Sequence, residues 1–121
     1  MNDLDLIKSK IVIELNQTIA IDVYESIIKK FPYLTLEIKW NEPFLCFQEH
    51  PIIYFTEKTK IDNTIFTEPT IFLGFVSGFK LYSNQLFISS SHTQVRFINL
   101  NKLKKNQILS LIKLIGQALE V

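Results

Sequence analysis

The segment Leu34-Thr35-Leu36-Glu37-Ile38-Lys39-Trp40 decides the fold, because the spacing of apolar residues changes there from about four positions to two. Apolar and polar side chains alternate along it, which predicts a strand with one face toward water. Upstream, residues 18–31 carry an apolar side chain at every fourth position, the spacing of an amphipathic helix. Pro32 ends this helix, so the chain passes from helix to sheet at that point.

Four further segments have the character of strands: 44–47, 52–56, 70–76 and 94–100. A break is predicted at 41–43 and a hairpin connection at 48–51. The almost continuous apolar run 70–76 predicts a central strand buried on both faces, and Gly74 within it indicates a bulge or a close approach. Residues 57–69 are polar and predict a loop or an exposed hairpin around Asp62-Asn63, whereas 86–88 fits either a strand or a helical turn.

Helices are predicted at both ends of the chain. Residues 3–15 suit a helix or a strand, and the helix is favoured because most charges fall on one side. Asn16 or Thr18 is the expected N-cap of helix 18–31. Near the C-terminus, apolar residues at i, i+3, i+4, i+7 and i+11 from Ile108 mark an amphipathic helix, with Asn106 as its expected N-cap. The order predicts one α+β domain over 1–121, with a mostly antiparallel sheet of about five strands packed against N-terminal helices and a C-terminal amphipathic helix.

Composition narrows the classes of function. The chain has 121 residues, of which 47% are hydrophobic, and its net charge is +1. Near-balanced charge argues against a nucleic-acid-binding protein, which usually shows a basic surface. Neither a signal peptide nor an apolar run of about 18 residues is apparent, so the sequence predicts a cytoplasmic protein without a membrane contact.

No catalytic motif is recognisable. Cys46 lies among apolar residues and is expected to be a buried thiol. His50 and His92 are isolated histidines in predicted loops, without the clustering that a metal or catalytic site needs. A non-enzymatic protein with no cofactor is therefore expected.

Two residues stand out by their rarity. Trp40 is the only tryptophan, and it either fills the core or offers a platform to a ligand. Arg96 is the only arginine against twelve lysines, which suggests a need for a planar, bidentate donor. Arg96 either pairs with Glu37 or another carboxylate, or it captures the carboxylate or phosphate of a ligand.

These segments, in this order, resemble the DUF1801 (YdhG-like) family. The resemblance covers residues 17–120 and rests on three groups of residues. They are Glu37, Ile38, Lys39, Trp40 and Pro43; then Leu73, Gly74, Phe75 and Gly78; then Gln94, Val95 and Arg96. The chain departs from the family at Asn41, where glycine is common, in a short 79–93 segment and in a long 57–69 segment.

The resemblance implies an α+β fold with helices covering an antiparallel sheet. Some relatives are described as iron chaperones with a role like that of frataxin, which implies iron held by surface carboxylates. The acids of this chain are scattered along it, so iron binding is the alternative function.

The preferred hypothesis is that the sheet binds a small ligand or a protein partner. Its site residues are Trp40 as a platform, Arg96 as the guanidinium donor, and Glu37 and Lys39 on the neighbouring polar face. The surplus of aromatic residues leaves a monomer and a weak homodimer equally open.

Overall fold

The computed structural model describes residues 2–81, 87–88 and 94–120, which form three α-helices and six strands. The helices are α1 (Asp3–Lys10), α2 (Glu14–Lys30) and α3 (Ile108–Glu120). The strands are β1 (Thr35–Lys39), β2 (Glu42–Phe47), β3 (His50–Ile61), β4 (Thr64–Phe75), β5 (Phe87–Ile88) and β6 (Arg96–Asn99). No helix in the described ranges is long and apolar enough to cross a membrane.

The strands form one sheet in the order β1-β2-β3-β4-β6-β5, and every neighbouring pair is antiparallel. This confirms the predicted α+β class with its antiparallel sheet, N-terminal helices and C-terminal helix. The sixth strand is the two-residue β5, so Phe87 and Ile88 of the ambiguous segment 86–88 form a strand, whereas Leu86 lies outside the described residues. The rest of segment 79–93 beyond Leu81, His92 included, lies outside the described residues.

One face of the sheet packs against all three helices. Alternate residues of the central strands point to this side, as in Phe55 of β3 and Leu73 of β4. The amphipathic α3 contributes Leu111 and Ile115 to the same core. This face, called the helix face below, therefore holds the main hydrophobic core.

The opposite face carries a second, smaller cluster around Phe72 and Phe97, called the aromatic face below. Phe66 and Phe72 belong to the same strand, yet their ring centroids are only 5.1 Å apart. A straight strand would separate residues six positions apart by about 20 Å. The far end of the β3–β4 hairpin, residues 57–69, must therefore bend back over the aromatic face.

This bent hairpin, called the arm below, corrects the loop predicted for 57–69. Both strands continue through it to a two-residue turn at Asp62-Asn63, which the hairpin alternative had placed correctly. A register shift between Lys58 and Lys60 supplies the bend. The polar composition misled the prediction because most arm side chains face water, while Ile61 alone is fully buried there.

The N-terminus of α2 also differs from the prediction. The helix begins at Glu14, and its N-cap position is Ile13, whose side chain makes no capping hydrogen bond. Asn16 lies buried inside the helix instead of capping it. The Glu57 carboxylate accepts hydrogen bonds from the amides of Val12 (2.9 Å) and Ile13 (3.2 Å), so a distant strand anchors the backbone just before the helix.

The turns around β2 are tighter than predicted. The connection from β1 is the two-residue turn Trp40-Asn41, so Glu42 and Pro43 belong to β2 and not to a break. Lys39 and Glu42 flank the turn as a hydrogen-bonded pair, which makes the next pair, Ile38 and Pro43, a non-bonded one. Proline is accommodated there because the β1–β2 ladder needs no amide from it.

The start of α3 corrects the last predicted cap. Residues 105–107 form a single 3-10 turn, and the α-helix follows from Ile108. The Lys104 amide donates to the side-chain oxygen of Gln107 at 2.8 Å, so Gln107 and not Asn106 satisfies the entry to the helix.

Candidate functional site

Trp40 lies at the tip of the β1–β2 hairpin and is 77% exposed. The backbone places it in the left-handed region, with φ values of 49° at Trp40 and 63° at Asn41, as a two-residue hairpin turn requires. A bulky residue with positive φ is uncommon, since its side chain crowds the backbone there. The turn therefore presents a large aromatic ring to solvent in a conformation that asparagine or glycine would adopt more easily.

The Trp40 ring is backed by other aromatic rings that cross the sheet. It contacts Phe44 edge to face at 5.4 Å, and Phe44 stacks on Tyr54 at 4.6 Å. Further edge-to-face contacts continue from Tyr54 through Phe97 and Phe72 to Phe66. Phe44 and Phe72 are buried, so this aromatic row is a rigid part of the fold and Trp40 is its exposed end.

Glu37 and Lys39 flank the row on β1, with their side chains on the aromatic face by the alternation of the strand. The Thr35 hydroxyl donates a hydrogen bond to the Glu37 carboxylate at 3.3 Å. Glu42, opposite Lys39, is partly buried, and this burial raises the pKa of its carboxyl while Lys58 acts in the opposite direction. The hairpin thus places the exposed Trp40 ring beside the oppositely charged side chains of Glu37 and Lys39.

Arg96 does not belong to this site. It begins β6, which is separated from β1 by three strands, and it follows the alternation of Ile98 and Leu100 toward the helix face. Strand spacing and register put its backbone on the order of 20 Å from Trp40. The guanidinium donates to the Val95 carbonyl at 3.0 Å, and the side chain packs against the Gly78 backbone.

The structure therefore brings Glu37, Lys39 and Trp40 together and leaves Arg96 apart. The physical reason is the sheet order, since β2, β3 and β4 lie between the strand that leads to Trp40 and the strand that carries Arg96. Pairing of Arg96 with Glu37 is excluded by the same separation. The composite platform of an aromatic ring and a guanidinium is not assembled.

The outer edge of β1 is the feature that sequence reasoning missed. Because Ile38 and Pro43 form a non-bonded pair, the amide and carbonyl of Ile38 point away from β2, as do those of Leu36. Within the described ranges, β1 is the end strand of the sheet, and no hydrogen bond from these groups is seen. Tyr33, 54% exposed, lies at one end of this edge and Trp40 at the other.

The remaining candidates fit structural roles. Cys46 has no exposed surface, and burial, aided by the Glu37 carboxyl, raises the pKa of its thiol to about 11. A thiol of that pKa carries little thiolate at neutral pH and makes a poor nucleophile. His50 is exposed and lines a groove of about 400 Å³ beside Ser77 and Ala118. In the part of the chain that the structure describes, no three His, Cys, Asp or Glu residues are grouped to hold a metal.

Comparison with known proteins finds no match: no protein-family model, no curated protein and no solved structure corresponds to the chain. The resemblance to the DUF1801 family accordingly stays a prediction, and the site has to be judged by its own geometry.

Proposed function

We propose that this chain is a non-enzymatic domain that binds a protein partner through the β1–β2 hairpin. The observation that carries the proposal is Trp40, held 77% exposed at positive φ on the tip of a two-residue turn. Tryptophan is enriched among the residues that dominate protein interfaces, since a large ring buries much apolar surface with little loss of freedom. The ring contacts Phe44 on one side but lies outside the buried core.

A protein partner is favoured over a small ligand because the exposed ring is convex. Small-molecule sites are clefts that bury most of the ligand, whereas a ring exposed to this extent has solvent around it and Phe44 only on one side. Among the described residues, grooves of about 400–670 Å³ are lined by residues other than Trp40. The surface around Trp40 therefore suits a protein partner better than an enclosed small ligand.

Glu37 and Lys39 supply polar contacts beside the ring. Charges at the rim of an interface contribute mainly to orientation and to the rate of association. Arg96 has no part in this surface. Iron binding, the alternative from the family resemblance, gains no support from the grouping of acids among the described residues.

The proposal is tested with peptides selected from a displayed random library on the immobilised domain. Each selected peptide is then synthesised and titrated while the emission of Trp40, the only tryptophan, is followed. We expect a saturable shift of the emission to shorter wavelength, and loss of binding in Trp40→Ser as measured by calorimetry. Leu109→Ser, which alters a side chain of 74% exposure on α3, is the matched control and should bind normally.

Two results would contradict the proposal. One is that no selected peptide binds in solution. The other is that every selected peptide binds Trp40→Ser as tightly as the unaltered domain.

A further inference from the structure

We propose that the partner at this hairpin is a second copy of the same chain, paired antiparallel along the β1 edge about Ile38. This inference rests on the proposed function, because it names the partner of the same surface. It starts from the free edge of β1 and from the order of charges along that strand.

The edge offers backbone groups for pairing. The outward amide and carbonyl of Ile38 can exchange two hydrogen bonds with the same groups of a second Ile38 across a twofold axis. Ile38 itself is 37% exposed, so the pairing would cover apolar surface as well. A strand edge with free donors and acceptors pairs with another chain unless something opposes it.

The charges of β1 are self-complementary in this register. With Ile38 opposite its own copy, Glu37 of each chain lies opposite Lys39 of the other, on the aromatic face. These are non-bonded positions of the ladder, where the α-carbons approach to about 4.5 Å and side chains contact directly. Within the described ranges neither Glu37 nor Lys39 forms an ion pair inside the chain, although the Glu37 carboxylate accepts a hydrogen bond from the exposed Thr35 hydroxyl at 3.3 Å.

Other registers are disfavoured. A twofold axis at Glu37 would place two carboxylates opposite each other, which is repulsive. An axis at Leu36 would use the Leu34 amide, which already donates to the Phe31 carbonyl at 3.2 Å, and would place Glu37 opposite Thr35 instead of a lysine. The register about Ile38 is therefore the one that brings opposite charges into contact.

The length of the pairing limits its strength. The extended backbone of β1 stops at Lys39, since Trp40 has a φ of 49°. In the proposed register Trp40 comes opposite Leu36 of the second copy, beyond the extended part of β1, so the pairing is confined to the residues around Ile38. The dimer is thus expected to be reversible and dependent on concentration.

Charge exchange provides the test, with sedimentation equilibrium as the measurement. Glu37→Lys alone and Lys39→Glu alone each create two like-charge contacts and should weaken the dimer by about tenfold or more. An equimolar mixture of these two variants restores both opposite-charge contacts and should associate as heterodimers. The double variant Glu37→Lys/Lys39→Glu should dimerise like the unaltered chain, which also shows that the substitutions are compatible with folding.

The outcomes separate this inference from the proposed function. The dimer is overturned if the chain stays monomeric up to about millimolar concentration, because a dimer with a dissociation constant of about 1 mM would be detected there. The proposed pairing is also overturned if none of the charge variants alters the dimer. If selected peptides still bind in a manner that depends on Trp40, the hairpin remains a binding surface and only the identity of the partner is wrong. Loss of both dimer and peptide binding removes both proposals.

Discussion

The side-chain amide of Asn16 donates a hydrogen bond of 2.7 Å to the Glu57 carboxylate, which joins the first turn of α2 to the base of the arm. Asn16 also donates to the Pro69 carbonyl at 2.9 Å and accepts from Asn101 at 3.1 Å. Glu57 in turn accepts the amides of Val12 and Ile13. A single polar network therefore holds the helix layer, the arm and the segment before α3.

Replacing Glu57 with alanine should destabilise the fold. The change removes the acceptor of one N–H of the buried Asn16 amide, and a buried unpaired donor costs about 1–3 kcal/mol. The Val12 and Ile13 amides lose the same acceptor, but they are exposed and can bond to water instead. The free energy of unfolding in urea measures the loss. Glu68→Ala, an exposed acid of the same arm, is the control and should stay within about 0.5 kcal/mol of the unaltered chain. Equal effects of the two substitutions would show that the network is not stabilising.

Gly74→Ala should destabilise the protein because the Tyr54 ring lies against Gly74. A β-carbon there would come within 2.4 Å of Cε1 of Tyr54, and the ring is held by Phe44 and Phe97 on its other sides. Overpacking of this kind costs about 1–3 kcal/mol, seen as a lower urea midpoint.

The matched control for this overpacking is Gly116→Ala in α3. Its β-carbon would meet Phe31 at an ordinary 3.8 Å, and alanine favours a helix over glycine by about 1 kcal/mol. This variant should therefore be more stable than the unaltered chain. If Gly74→Ala were as stable as Gly116→Ala, the groups around Tyr54 would have to shift enough to accommodate the added methyl group.

Trp40 should behave as a solvated indole at low protein concentration. With 77% of its surface exposed, its fluorescence should be quenched by acrylamide almost as efficiently as that of free tryptophan. As the concentration rises, quenching should fall if the β1 edge pairs, because the ring then faces a second copy. Strong protection from quenching in the dilute monomer would contradict the exposed position of the ring.

Cys46 should make the fold less stable in alkaline solution. The folded thiol has a pKa of about 11, whereas the thiol of an unfolded chain ionises near 8.5. Between about pH 8.5 and 11 the unfolded chain releases a proton that the folded chain retains, so the free energy of unfolding falls as the pH rises through this window.

Urea unfolding at pH 7 and pH 9.5 compares the unaltered chain with Cys46→Ala. The alanine variant should show a smaller loss between the two values. Tyr54, whose pKa burial raises to about 12, titrates mainly above this interval, so its contribution is small. Equal losses in the two proteins would mean that Cys46 ionises as readily in the folded state as in the unfolded one.

Much of the fold could be predicted because burial of one side of a helix or strand imposes a regular spacing of apolar residues along the sequence. The alternation in 34–40 and 94–100 and the helical spacing after Ile108 each give the correct element. The pattern failed in the arm, where strand pairing is maintained by backbone hydrogen bonds while most side chains face water. It also failed at the start of α2, where Glu57, more than forty residues away, holds the backbone just before the helix.

The candidate site could likewise be predicted only in part. Composition alone marked Trp40 and Arg96 as unusual, and the strand pattern correctly grouped Glu37, Lys39 and Trp40 within one hairpin. Only the order of strands in the sheet decided that Arg96 lies apart on the helix face, and only the two-residue turn decided that Trp40 is exposed. The sequence by itself determined which segments have an apolar side to bury, since that depends on residue spacing. Which edge and which ring remain at the surface depended on long-range pairing, which no local pattern encodes.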